Sequence, residues 1–291
     1  MQFNLNKTQQ GWLNGLIGVV IFAGSMPATR VAVQGFSPEF LTGARACIAA
    51  ALALLLLIVL KQPRPSGQQI KSLCITSAGV VIGFPLFTAL ALQTETAAHS
   101  LIFVALLPLA TAFFAVLRAK EVPHAAFWLY ASIGSALVIF FMLHQSGLNG
   151  ISLGDLYMII AILLCGLGYA EGGVLSKTLG GWQVICWALI IALPLMLPLC
   201  WLYFPSSFQH VPTSAYIGLA YVSLFSMLIG FFFWYKGLAL GGIAKIGQIQ
   251  LVQPFIGLVF CAVLLNEHIS FLMIAISLAV VSCVVMAKKY A

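Results

Sequence analysis

In a chain of 291 residues that is 62% apolar and 7% charged, the few polar side chains inside the apolar runs are the ones able to do chemistry. Arg45, His99 and Lys245 could each hold the carboxylate of a small cargo. Glu171 is followed by Gly172 and Gly173 and has no opposite charge within one turn of its own helix. It can carry a proton, or it can pair with Arg45 or Lys245 on another helix. Around an ideal helix Gln248 lies about 60° from Lys245, and Gln253 about 80° on its other side. That stripe suits a cavity wall, because amides facing hydrocarbon would be unsatisfied. In the aromatic run 231–235, Trp234 and Tyr235 have polar tips and are the members suited to line a cavity. A charge within a membrane span costs about 2.5–3.5 kcal/mol, which makes each of these residues a functional candidate.

Binding and proton transfer are within reach of such residues, and catalysis is not. The six acids and five histidines are scattered, with no paired carboxylates, metal-ligand cluster or activated nucleophile. There is no Gly-x-x-x-x-Gly-Lys-Ser/Thr phosphate loop. The expectation is a protein that is not an enzyme and needs no metal or cofactor. The seven cysteines lie within apolar segments, without a spacing suited to a disulfide framework, and read as small apolar residues.

The elements that must position these groups are membrane helices. Apolar segments of about 20 residues suffice to cross a bilayer. Ten occur, at 12–33, 38–60, 72–92, 95–117, 123–143, 154–175, 182–204, 214–236, 243–265 and 269–287. Proline interrupts several of them, and Pro27, Pro85, Pro108 and Pro254 are the expected helix breaks. Pro108 and Pro254 lie 146 residues apart, each followed at the same interval by a glutamate, Glu121 or Glu267. The flanks agree at that offset, so the chain reads as a duplication, with halves 1–147 and 148–291. Five helices per half is an odd number, so the second copy must be inverted in the membrane. Matched interruptions in inverted halves point to a transporter's binding site. The same offset pairs His99 with Lys245, which inversion would place at opposite faces.

The net charge of +7 would suggest nucleic acid in a soluble protein, but here it is a topology signal. With a cytoplasmic N-terminus, Lys7, Lys61, Arg64, Lys71, Arg118, Lys120, Lys177, Lys236, Lys245, Lys288 and Lys289 fall on cytoplasmic ends, leaving Arg30 and Arg45 elsewhere. That bias places both termini in the cytoplasm. Glu39, Glu121, Asp155 and Glu267 stand at expected helix starts, where a carboxylate caps free amides. His99, one turn beyond Glu95 on the same face, reads either as a group titrating near neutral pH or as a hydrogen-bonded structural side chain.

The passage from Phe22-Ala23-Gly24-Ser25 through Arg30, Ser37-Pro38 and Arg45 resembles the start of an EamA-type repeat of the drug/metabolite transporter superfamily. Arg30, Pro38 and Arg45 match that pattern, and Phe22 stands where the family usually has tryptophan. The resemblance covers roughly 14–140 and 156–287. It implies an all-α permease of ten transmembrane helices in the bacterial inner membrane, exporting amino acids or related small metabolites by alternating access, with proton coupling. Efflux of lipophilic cations is the alternative, with Glu171 as the buried carboxylate it would need. The expected partners are a small-molecule substrate and the lipid bilayer, with a monomer plausible.

Overall fold

The computed structural model describes residues 6–119, 124–146, 152–241 and 246–289. The described chain is helical throughout. Seven helices are long and apolar enough to cross a membrane: α1 (Lys7–Ala32), α2 (Pro38–Val59), α3 (Gly67–Thr94), α4 (Ala97–Leu117), α6 (Leu153–Leu179), α7 (Gly181–Leu202) and α8 (Thr213–Gly241). The other helices, α5 (Ala125–Ser146), α9 (Ile249–Leu265) and α10 (Phe271–Lys289), carry shorter apolar stretches. Large apolar side chains such as Leu55, Ile58, Leu195, Ile217 and Phe271 point outward, as a multi-pass membrane protein requires.

Short polar residues start these helices. Asn6, Ser37, Ser66, Thr96 and Ser152 accept hydrogen bonds from backbone amides of the first turn, satisfying donors that have no intrahelical partner.

Each expected proline falls in the first turn after an irregularity. Pro27 follows a turn at Gly24, and Pro85 follows a π-helical stretch, Ser77–Gly83. Pro108 follows a turn at Ala105 and Leu106, and Pro254 follows a 3-10 stretch, Gly247–Val252. Proline offers no amide to the preceding turn. At the first break, Tyr221 Oη donates to the carbonyl of Ile21 at 2.8 Å. Helix α8 has its own π-helical stretch, Val222–Ile229, without any proline. Pro194 and Pro198 lie inside α7, which continues through both.

The main packing partners are α1 with α8, α3 with α6, α2 with α7, and α5 with α10. Glycines let the crossings close. A Cβ on Gly237 would lie 2.8 Å from the Gly15 amide nitrogen, and one on Gly11 would lie 2.9 Å from that of Gly241. At the α3–α6 crossing, a Cβ on Gly79 would strike the Leu164 carbonyl. Small residues bring membrane helices to backbone contact, where dispersion replaces the hydrophobic drive that lipid cannot provide.

Candidate functional site

The two π-helical stretches and the breaks of α1 and α9 converge on a small central cavity. Its wall draws Phe22, Ser25 and Met26 from α1, Arg45 from α2, and Val80, Phe84 and Pro85 from α3. Cys165 and Tyr169 come from α6, Ser226 and Phe231 from α8, and Gln253 from α9. In this conformation the cavity holds about 20 Å³, room for about one water.

Arg45 is the charged member. Ser37 and Pro38 start α2 two turns earlier, and α2 packs along the wide stretch of α8, bringing the guanidinium to Ser226. Arg45 is 4% exposed. Its Nη2 donates to Ser226 Oγ at 3.1 Å, and Ser25 Oγ donates to the same oxygen at 2.7 Å. Arg45 Nε has no partner, and among the described residues no carboxylate lies within 4 Å of the guanidinium. Gln253, also 4% exposed, lines the cavity with Oε1 unpartnered. Phe22, Phe231 and Tyr169 form an aromatic wall, with centroids 5.0 Å apart for Phe22 and Phe231 and 6.0 Å for Tyr169 and Phe231.

Of the residues expected at the site, Arg45 and Gln253 are brought together here, and Pro85 lines the same cavity. Trp234 and Tyr235 are not in its wall. Both are fully buried in the packing between helices, Trp234 beside Tyr169 and Phe22, and Tyr235 with its hydroxyl toward the carbonyl of Gly168. Their polar tips had suggested the cavity, but the one-turn-earlier Phe231 faces it. Glu171 is buried on α6, 4% exposed, and the next residue, Gly172, meets the Tyr235 ring. Lys245 and Glu121 lie outside the described residues, and the side chain of Gln248 is likewise not described. Ser25 enters the sequence reading only within the Phe22-Ala23-Gly24-Ser25 segment, and Ser226 not at all, since a single hydroxyl in an apolar helix carries no spacing signal.

His99 lies away from the cavity, in a polar cluster at one end of the bundle. Its Nε2 is 2.7 Å from Asp155 Oδ1 and 3.8 Å from Glu95 Oε2, joining the starts of α4 and α6. Ser152 Oγ donates to Glu95 Oε1 at 2.7 Å, and the Asp155 carboxylate also caps the start of its own helix through the Ser152 amide. Glu267 corrects the sequence reading in one respect: the helix it caps is not α10 but α4. The amides of Ala97 and Ala98 donate to its two carboxylate oxygens at 3.0 and 2.7 Å. From the other side, Arg30 donates to the carbonyls of Leu92 and Gln93 at the end of α3. A carboxylate on free amides and a guanidinium on free carbonyls both complement the helix dipoles, so the α3–α4 turn is clamped from α1 and from the segment before α10.

Such charge-assisted bonds contribute about 1.5–3 kcal/mol each where shielded from water. Glu267→Ala is therefore expected to raise severalfold the rate at which a membrane-impermeant thiol reagent labels a cysteine at the buried position of Ala98, in a background free of other cysteines. An unchanged rate would mean that other contacts hold the turn.

Comparisons with known proteins agree with this architecture. The EamA-like transporter family matches the chain twice, over residues 9–143 and 152–288. The chain is 54% identical over 287 residues to the uncharacterized transporter YdeK of Bacillus subtilis (strain 168), covering 99% of this chain and all of that protein. A crystal structure of a protein 17% identical in sequence superposes with a TM-score of 0.66 over 95% of this chain and 96% of the other, a likeness of fold.

Proposed function

The chain belongs to the EamA-like transporter family, and from that premise we propose that it is a secondary transporter of the bacterial inner membrane, exporting amino acids or related small metabolites by alternating access with proton coupling. The observation that carries the reading is the central cavity: six helices from both halves of the chain meet around one buried guanidinium, beside breaks in α1, α3 and α9. Interrupted helices at the centre of a bundle are where transporters bind cargo.

The proposed architecture is ten transmembrane helices in two inverted five-helix repeats, 1–147 and 148–291. Supporting it, one family matches each half, α1 packs on α8 as α6 packs on α3, and the π-helical stretches end at Gly83 and Ile229, 146 residues apart. The lysine and arginine distribution supports cytoplasmic termini. A cysteine at Gly67 is then expected to react only from the cytoplasm and one at Ser207 only from outside. Labelling of both from the same side would overturn the topology.

Proton coupling is assigned to Glu171, a carboxyl buried on a membrane helix, where ionisable side chains mark proton relays. Lipophilic-cation efflux is the second reading, and the same carboxylate favours it. Arg45 weighs against it, since a guanidinium in the cavity repels a cationic cargo. The deciding experiment is flux in proteoliposomes with a panel of amino acids, small metabolites and lipophilic cations, with and without a pH gradient. Gradient-dependent amino-acid or metabolite movement is expected, and movement of the cations alone would select the alternative.

A further inference from the structure

We infer that Arg45, with Ser226 and Ser25 behind it, is the subsite for a carboxylate of the cargo, and that Gln253 Oε1 receives an ammonium on the same molecule; this rests on the transport reading above and narrows its substrate to zwitterionic α-amino acids. The argument is an inventory of donors and acceptors in a closed space. A serine hydroxyl has one proton to donate and two lone pairs to accept with. Ser226 Oγ already accepts from Arg45 Nη2 and from Ser25 Oγ, so its own proton is free to donate. Arg45 Nε–H is a second free donor, buried and without a partner. Two donors fixed beside one delocalised positive charge match a carboxylate, which accepts through two oxygens and binds guanidinium in a planar fork.

The charge balance points the same way. A guanidinium inside a membrane bundle is stable only when compensated, and its one hydrogen-bonding partner among the described residues is neutral. Of the other basic candidates, His99 is not at this site, being engaged by Asp155, and Lys245 lies outside the described residues. Gln253 Oε1 in the cavity wall is a buried acceptor without a partner, and an ammonium supplies what it lacks. Between donor and acceptor ends, Phe22, Tyr169 and Phe231 offer an apolar face. The apolar side chain of the cargo goes there as the wall opens from its closed form.

The test uses full-length protein in proteoliposomes and counterflow of radiolabelled neutral amino acids, each beside its uncharged-carboxyl amide, for example leucine with leucinamide and phenylalanine with phenylalaninamide. At least one acid is expected to exchange tenfold or more faster than its amide. Arg45→Gln should erase that preference, Arg45→Lys should retain part of it, and Ser226→Ala, which leaves the guanidinium in place, should lower it severalfold. Equal exchange of acids and amides by the wild type, or an undiminished preference in Arg45→Gln and Ser226→Ala, overturns the subsite while leaving transport intact. Exchange of neither acids nor amides, by protein whose fold is verified by cysteine labelling at Gly67 and Ser207, overturns the amino-acid reading together with the subsite.

Discussion

Gly237→Leu is expected to leave no folded protein to purify. At this position the chain of α8 lies against that of α1, and even a methyl would approach Gly15 N to 2.8 Å and Gly11 O to 3.1 Å. Backbone atoms in the middle of a helix cannot step aside as a flexible side chain can, so the two helices must separate along the crossing. Overpacking of a well-packed core typically costs about 1–3 kcal/mol, and four carbons against backbone exceed the case that range describes. Gly237→Ala is the graded version, with a lowered melting temperature and a surviving monodisperse peak. The control is Gly67→Leu, because nothing lies within 4 Å of a Cβ there, and its melting temperature should equal that of the wild type. A stable, monodisperse Gly237→Leu protein would mean that α1 and α8 do not cross as closely as described.

Glu171→Gln is expected to abolish accumulation driven by a pH gradient and to leave exchange of cargo across the bilayer in place. The amide keeps the shape and hydrogen-bonding capacity of a protonated carboxyl but cannot release a proton. A carrier whose coupling proton rides on Glu171 would then shuttle cargo down its own gradient and ignore the pH difference. The residue is 4% exposed, on a membrane helix where ionisable side chains mark proton pathways. If the variant fails to reach the membrane, the carboxylate serves the fold. If transport in the variant keeps its pH dependence, Glu171 has no part in coupling.

The helices were legible in the sequence because long apolar runs in a chain this hydrophobic permit little else, and helix starts were legible from residues such as Ser37 and Ser152. The proline breaks were legible too, since the missing amide is a property of the residue itself. Pro194 and Pro198 show the limit: they have the same chemistry inside a continuous α7, so the surroundings decide whether a break follows. The Arg45 site was half legible. A buried charge announces itself, but Ser226 is one hydroxyl in the apolar run of α8, and only packing shows that it meets Arg45, 181 residues earlier. Likewise Glu267 was expected at a helix start, and nothing local says that the helix is α4, 170 residues away. Trp234 and Phe231 exchange roles for another reason: a polar tip points to Trp234 in the sequence, but packing buries it beside Tyr169 and Phe22 and leaves Phe231 in the cavity wall.

The paired wide stretches of α3 and α8 also bear on the two-repeat architecture proposed above. A π turn is an α-helix holding one residue too many, and each added residue rotates everything beyond it by about 100°. Two independent insertions would have had no reason to end at Gly83 and Ile229, positions equivalent under the same offset that relates Pro108 to Pro254. In that architecture, one extra residue in a single five-helix unit accounts for both stretches.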